Sequence, residues 1–429
     1  MSHYNNSSKQ SALLLTFLFP FAGLVYSLAH WRESWAKNAF WLACIYLGAA
    51  FIFLPEGVAL GEGADSARYQ MDLIRLYGDN SSLLNVLAKY RLERGMMDFY
   101  QPILTYLVSR FTDNAHILFA VSAAVFGFFY SRNVWFILDK LPQKNQGIFV
   151  ILTILYFLIC PITQINGLRM WTALHVYVYA LMPYLLDRDK SKLWWLAMAP
   201  LIHFSYLYVS LIGFAYVMLP ERMKTGSRIL QFIALFTFIA SLMINSLNLD
   251  SVNGILMEYS PESYEDRIDL YVNQDLADRN AEGAALANWY IAVSGLLKKW
   301  TVAVLIVFLF PCMKKYFKDE YGLNRLYFFS LLIGAFANTL SLIPSGGRFQ
   351  VLSMMFMVSV VMLSIMTIPR TDSYYGIAKF AMFFLLIPVI VDIRRLFDFF
   401  GITALFGNFI TAFFWESNVP LIEFVKRLI

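Results

Sequence analysis

Apolar runs separated by short polar turns recur from Ala12 to Val391. The hydrocarbon core of a bilayer, roughly 30 Å thick, takes about 20 apolar residues per helix. On that scale the pattern predicts eleven or twelve transmembrane helices, at 12 to 29, 38 to 54, 115 to 138, 147 to 165, 168 to 186, 193 to 203, 204 to 219, 229 to 246, 288 to 311, 326 to 343, 349 to 368 and 376 to 393. The sixth is short. The first run carries a cleavage-like Ser27-Leu28-Ala29, but Lys9 is the one basic side chain ahead of it, so it reads as a helix and not a secretory signal.

Two longer polar stretches interrupt the pattern, 55 to 114 and 247 to 287. With so many spans there is no stretch for a separate soluble domain, and the whole of 1 to 429 reads as a single integral membrane domain. Composition agrees: 59% of the residues are hydrophobic and 15% charged, against roughly 25% charged in an ordinary globular domain. Cys44, Cys160 and Cys312 lie in or beside predicted helices, which argues against a disulfide framework. There is no clear internal repeat or heptad array.

Lys and Arg concentrate in alternate short loops: Arg32 and Lys37; Lys140 and Lys144; Arg188, Lys190 and Lys192; Arg222, Lys224 and Arg228; Lys314, Lys315, Lys318 and Arg325; Arg370 and Lys379. By the positive-inside rule these face the cytoplasm, and both long loops, the turns near 166 and 346, and the N-terminus face outward. The net charge of +5 reflects that sidedness and carries no argument for nucleic acid. Nine carboxylates against Arg267 and Arg279 in the 247 to 287 loop disfavour anchoring on anionic lipid there.

Arg169, in "ITQINGLRMWTA", and Arg348, in "IPSGGRFQ", break this trend. Each opens a helix at an outer turn. Charges at such depth cost a few kcal/mol and are usually paired or exposed to a water-filled cavity. Gly167, Gly346 and Gly347 would let a ligand approach the backbone, and helix N-termini add partial positive charge. The pattern suggests an anion site. A guanidinium fork suits phosphate oxygens, and a pyrophosphate leaving group needs charge neutralisation, so no metal or cofactor would be required. The alternative is snorkelling of either arginine to outer headgroups. Lys298 joins the site if 286 to 297 lie along the outer surface and the span begins near Trp300; otherwise it is an interfacial anchor. Arg394 and Arg395 are similar candidates.

The outer segments "GEGADSARYQMDLIRLYG" and "ERGMMDFYQPILTYLVSRF" mix carboxylates, tyrosines and arginines at helical spacing, as expected of amphipathic helices lying at the membrane surface and roofing a site. Sugar hydroxyls are recognised by carboxylates, and an acceptor hydroxyl must surrender a proton during glycosyl transfer. Glu62, Asp65 and Asp98 are the candidate carboxylates, with Arg68, Tyr69 and Tyr100 beside them; solvated loop charges and helix caps are the alternative. His203, in "LAMAPLIHFSYLYV", falls at a break between two short apolar runs facing outward. His116 and His175 read as structural, His3 and His30 as tail and turn residues.

The "NGLRMWTAL" turn with Asn166 and Arg169, the "LIHFSYL" break, the "GADSARY" loop and the later "GGRF" turn resemble the EpsG family of Wzy-type polysaccharide polymerases, within the GT-C group of membrane glycosyltransferases. The resemblance spans roughly 55 to 350. Where the family usually has glutamine after the arginine, this chain has Met170. The resemblance implies a bacterial inner-membrane enzyme that joins oligosaccharide units carried on undecaprenyl pyrophosphate at the periplasmic face to make O-antigen, capsule or exopolysaccharide, with a chain-length regulator as partner. It implies that Arg169 contacts the pyrophosphate or the lipid-proximal sugar, His203 assists the acceptor or donor phosphate, and Asp65 lies near sugar. Arg348 would be a second phosphate clamp.

Asp187-Arg188-Asp189 spells the D-x-D of metal-dependent nucleotide-sugar transferases but occupies a short basic turn with no domain around it. No P-loop, dinucleotide fingerprint, H-E-x-x-H or G-x-S-x-G is present. The competing readings are a flippase for lipid-linked oligosaccharide, which would be expected to show paired halves with interrupted helices, and an O-antigen ligase.

Overall fold

The computed structural model describes residues 2–52, 65–95, 97–141, 147–225, 228–244, 258, 288–317, 322–414 and 419–428. Glu62, the first residues of the 55 to 114 loop and nearly all of the 247 to 287 loop lie outside the described residues. The described chain is all helical apart from one isolated bridge between Phe51 and Phe400.

The predicted spans appear as helices, several with the expected limits. The first is split at Pro20 into α1 (Ser2–Leu18) and α2 (Pro20–Ala29), since proline cannot donate within a helix interior. Then come α3 (Ala36–Ala49), the three loop helices α4 (Asp65–Tyr77), α5 (Leu83–Arg94) and α6 (Tyr100–Ser109), α7 (Ala115–Leu138), α8 (Gly147–Ile159), a 3₁₀ segment (Ile162–Gly167) and α9 (Leu168–Asp187). They are followed by α10 (Trp195–Ile202), α11 (Tyr206–Met218), α12 (Glu221–Thr225), α13 (Arg228–Met243), α14 (Trp289–Tyr316), α15 (Leu323–Leu340), α16 (Arg348–Thr367) and α17 (Ser373–Leu396). Beyond the last predicted span, α18 (Ile402–Phe406), α19 (Phe409–Phe414) and α20 (Leu421–Leu428) turn back onto the bundle. There Asn114 Nδ2 donates to the Phe413 carbonyl (3.0 Å) and Ile52 N–H to that of Phe399 (3.0 Å).

Five segments are long and apolar enough to cross a membrane on their own: Ala115–Leu138, Gly147–Asp187, Trp289–Met313, Arg348–Thr367 and Ser373–Leu396. Pro20–Ala29, Tyr206–Met218 and Arg228–Met243 are shorter apolar helices. The protein is a multi-pass, all-α membrane protein. The second segment is a hairpin, because His175 Nε2 lies 3.0 Å from the Cys160 carbonyl across 15 residues. Its α8 arm is only 13 residues long. Pro161 ends that helix, and the 3₁₀ segment, rising about 2 Å per residue, covers the remaining depth.

The main core among the described residues is a hydrophobic cluster reaching from Ala12 to Leu421, with a small second one of Leu76, Val86 and Tyr90 under the loop helices. Helices α3 and α7 pack closely through Cys44, Gly48, Ala123 and Gly127. Helix α9 is buried almost throughout, between α7 and α10. Its C-terminal carbonyls are closed by a buried arginine: Arg325 Nε and Nη2 donate to those of Leu185 (2.9 Å) and Leu186 (3.1 Å). A cation at a helix C-terminus is favoured by the helix dipole.

At the same end Asp372 caps α17 by accepting from Tyr374 N–H (3.0 Å), and also accepts from Tyr316 Oη (2.6 Å) and Lys315 Nζ (3.1 Å). These bonds, the tyrosine's first, hold its carboxyl down to about 2. A depressed carboxyl stabilises the fold fully above its ordinary value of 3.8 and loses that contribution as pH falls toward 2. Asp372→Asn is expected to flatten the acid side of a plot of unfolding midpoint against pH; an unchanged slope would show that other carboxylates set it.

The α15–α16 turn explains its glycine pair differently from the ligand-approach reading. A Cβ on Gly346 would overlap the Leu340 carbonyl, whereas one on Gly347 meets open space. Gly346 serves the turn itself. Gly346→Ala is expected to cost about 1–3 kcal/mol, as overpacking against backbone does, and Gly347→Ala next to nothing; equal unfolding midpoints for the two variants would contradict this.

Candidate functional site

At the α9 N-terminus, four separate stretches of chain meet around Arg169. A guanidinium in the first turn of a helix sits at the positive end of the helix dipole, which costs about 0.3–1 kcal/mol unless something compensates. Asp98 compensates. Arg169 Nη1 donates to both of its carboxylate oxygens, at 3.1 and 3.0 Å, and the Asp98 side chain is only 5% exposed against 22% for Arg169. One carboxylate facing a guanidinium and a helix N-terminus leaves a positive surplus, which is what an anion site needs. The outer-loop carboxylate expected to meet sugar is thus the arginine's counterion.

The other outer elements close around this pair. Ser66 N–H, in the first turn of α4, donates to Asn166 Oδ1 on the 3₁₀ segment (3.2 Å), which brings Asp65 to the Arg169 turn. Asp65 itself pairs with Arg68 one turn on. Tyr69, buried one turn into α4, lies within electrostatic reach of Arg169. The α4 roof is fastened at its far end, where Arg110 Nη1 donates to the Asp79 carbonyl (2.8 Å) and Nη2 to that of Leu76.

His203 joins from the α10–α11 break. Its φ of −148° and ψ of 117° end α10 in extended backbone. Phe99 N–H donates to the Leu201 carbonyl (3.0 Å), so the residue after Asp98 is tied to the turn that carries His203. His203 Nδ1 lies 2.7 Å from Ser205 Oγ, which in turn approaches Met170 Sδ at 3.8 Å. Met170, the residue after Arg169, thus touches the histidine turn.

Around the ion pair, Ser66 Oγ, Tyr100 Oη, Gln101 Oε1, Thr172 Oγ1 and Arg169 Nε are buried and make no hydrogen bond of normal geometry to any described residue. The Tyr100 and Thr172 hydroxyls face each other and are each other's nearest polar partner, though at a looser geometry than a normal hydrogen bond. Each buried polar atom left so costs about 1–3 kcal/mol. With Arg169 Nε and Ser66 Oγ in the same position, the groups beside the ion pair fit a site completed by water or by a polar ligand. Thr172 and Gln101 were not among the candidates from sequence; Thr172, three residues after Arg169, falls on the same helix face and was there to be found by spacing.

Other candidates fall elsewhere. Arg348 is exposed on its turn, beside a depression of about 420 Å³ lined by Ser341 to Ser345 and Gly347. The ring of Phe349 lies 5.8 Å from that of Tyr206, which puts the α16 N-terminus at the same end of the bundle as His203. Gly167 does not open the backbone to a ligand, because a Cβ there would meet Trp171 Nε1 at 2.8 Å.

Lys298 has a partner within the described residues. Helix α14 runs unbroken from Trp289, and Lys298 pairs within the bundle with Asp392 of α17. A largely buried charge with its counterion in place is what such an apolar helix needs to carry a lysine. Arg394 is bonded to Asp398, four residues on (2.6 Å), at the α17 C-terminus where the dipole favours it. His116 and His175 are engaged by backbone, Nδ1 of the first 2.7 Å from the Ala49 carbonyl and Nε2 of the second 3.0 Å from that of Cys160. In the D-x-D segment, Lys140 takes Asp187 (2.7 Å) and Asp189 accepts from Ser191 N–H (2.9 Å).

Among models of known families, that of the EpsG family matches residues 46–398. No curated protein and no solved structure matches the chain.

Proposed function

Since the chain belongs to the EpsG family, whose members are in general terms glycosyltransferase-like polysaccharide polymerases acting on lipid-linked saccharides, we propose that it polymerises oligosaccharide repeat units carried on undecaprenyl pyrophosphate. The reaction would take place at the periplasmic face of the bacterial inner membrane, without a catalytic metal. The observation that carries this reading is the Arg169–Asp98 pair, set among unsatisfied buried polar groups at a helix N-terminus.

In the resting protein Asp98 holds the guanidinium in place. An incoming pyrophosphate offers Arg169 a more highly charged partner with the same fork geometry. As the glycosidic carbon leaves the phosphate oxygen, negative charge grows on the pyrophosphate, and a preorganised guanidinium stabilises that charge more in the transition state than in the ground state. Asp98, released from the arginine, is then positioned beside the site as a carboxylate able to accept the acceptor hydroxyl's proton, with His203 across the α10–α11 turn as the other proton acceptor. Asn166, Asp65, Tyr69 and Tyr100 supply polar groups for sugar. Arg348 would extend the anion site along the same end of the bundle.

A strain lacking the gene separates this reading from its competitors. Loss of polymerisation leaves single repeat units on the acceptor lipid or exported singly, and this chain should restore the ladder of long products. A ligase would leave no transferred units at all, and a flippase would strand the lipid-linked unit on the cytoplasmic side; either phenotype would refute the polymerase.

A further inference from the structure

At the Lys/Arg-rich end of the bundle, a second basic cavity lies between α3, α7 and the α9–α10 turn. It is about 14 residues along α9 from Arg169, or roughly 21 Å at 1.5 Å per residue. The cavity measures about 130 Å³ and is lined by Lys37, Arg132, Lys192, Asp139, Asn133 and Tyr179 among others. That is room for a compact anion and too little for an oligosaccharide.

Three cations face one carboxylate here. Two of them, Arg132 and Lys192, are held in place by neighbouring side chains. Arg132 is held between rings, 4.2 Å from the centroid of Phe128 and 5.1 Å from that of Trp41. Its Nη2 donates to Asn38 Oδ1 (2.8 Å) and its Nη1 to Ser131 Oγ (2.8 Å). Lys192 Nζ sits 4.5 Å over the Tyr179 ring. Neither pairing neutralises the charge, because a ring and an amide are not anions. Of the acids on the adjoining turn, Asp187 is taken by Lys140 and Asp189, which accepts from Ser191, lies within electrostatic reach of Lys192, so the cavity itself holds three cations against Asp139. Burial pushes the Asp139 carboxyl up, against the pull of Lys37 and Lys140.

We propose that this cavity binds a phosphate group, held by Lys37, Arg132 and Lys192. In a multi-pass protein the phosphate is available from two sources, an anionic lipid headgroup in the adjacent leaflet or a soluble phosphate. The site is separate from the Arg169 cluster and does not depend on the reaction assigned to it.

The test uses the full-length protein in phosphatidylcholine nanodiscs, with the unfolding midpoint read by tryptophan fluorescence. Adding phosphatidylglycerol, or in a second arm inorganic phosphate, is expected to raise the midpoint by about 2–4 °C, as a ligand that binds only the folded state does. Lys37→Gln/Lys192→Gln should lose at least half of that rise, and Lys37→Arg/Lys192→Arg, which keeps the charge, should retain it. A rise with lipid alone assigns the headgroup, and a rise with inorganic phosphate assigns the soluble anion. No rise in either arm, or an equal rise in the glutamine variant, overturns the site.

Discussion

Replacing Arg169 with alanine is expected to abolish long-chain polymer while single repeat units persist, a fall of about 10²–10³-fold in the catalysed step, the usual effect of removing one preorganised donor to a developing anion. The alanine variant also strands Asp98, 5% exposed, and an uncompensated buried charge costs about 3–5 kcal/mol. The amount of protein in the membrane must therefore be read beside the polymer ladder. Arg169→Lys separates the two effects. It keeps a cation for Asp98 and hence the fold, but it replaces a planar two-pronged donor with a point charge. It should lie between wild type and alanine in polymer length, at wild-type membrane level. A full ladder from Arg169→Ala at normal membrane level would mean that the guanidinium only anchors the helix.

The second large effect concerns stability. Lys298 and Asp392 pair inside the bundle, with side chains 20% and 11% exposed. Asp392→Leu leaves an ammonium without its partner in a low-dielectric setting and is expected to lower stability by about 3–5 kcal/mol. Lys298→Leu/Asp392→Leu removes both charges and should recover most of the loss, since apolar replacement of a buried pair is often neutral or better. The measurement is the thermal unfolding midpoint in detergent for wild type, both single variants and the double. If the double variant is as damaged as the sum of the singles, the two residues act independently, and Lys298 returns to being a candidate for the outer site.

How far the site was legible shows in how each charge was placed. Arg169 stood out because a cation at an outward-facing helix start opposes the loop-charge trend, and that is a local fact. His203 stood out because two short apolar runs cannot join without a break. Asp98 was found as a carboxylate near the membrane surface but given to sugar, because its bond to Arg169 joins residues 71 apart. Lys298 was left between the outer site and an interfacial anchor, because its partner Asp392 lies 94 residues later.

The sequence by itself determined the all-α membrane class, the approximate limits of most spans and the helical character of the 55 to 114 loop. The reason is physical: in lipid each backbone donor and acceptor must be satisfied within its own segment, so an apolar run of sufficient length has few other options than a helix. Only the tertiary structure decided that α8 is followed by a 3₁₀ segment, that Asp98 pairs with Arg169, and that Ser205 of the histidine turn approaches Met170. Those relations depend on which helices pack side by side. Burial sets the cost of an unpaired charge, and no local pattern records which distant residue meets it.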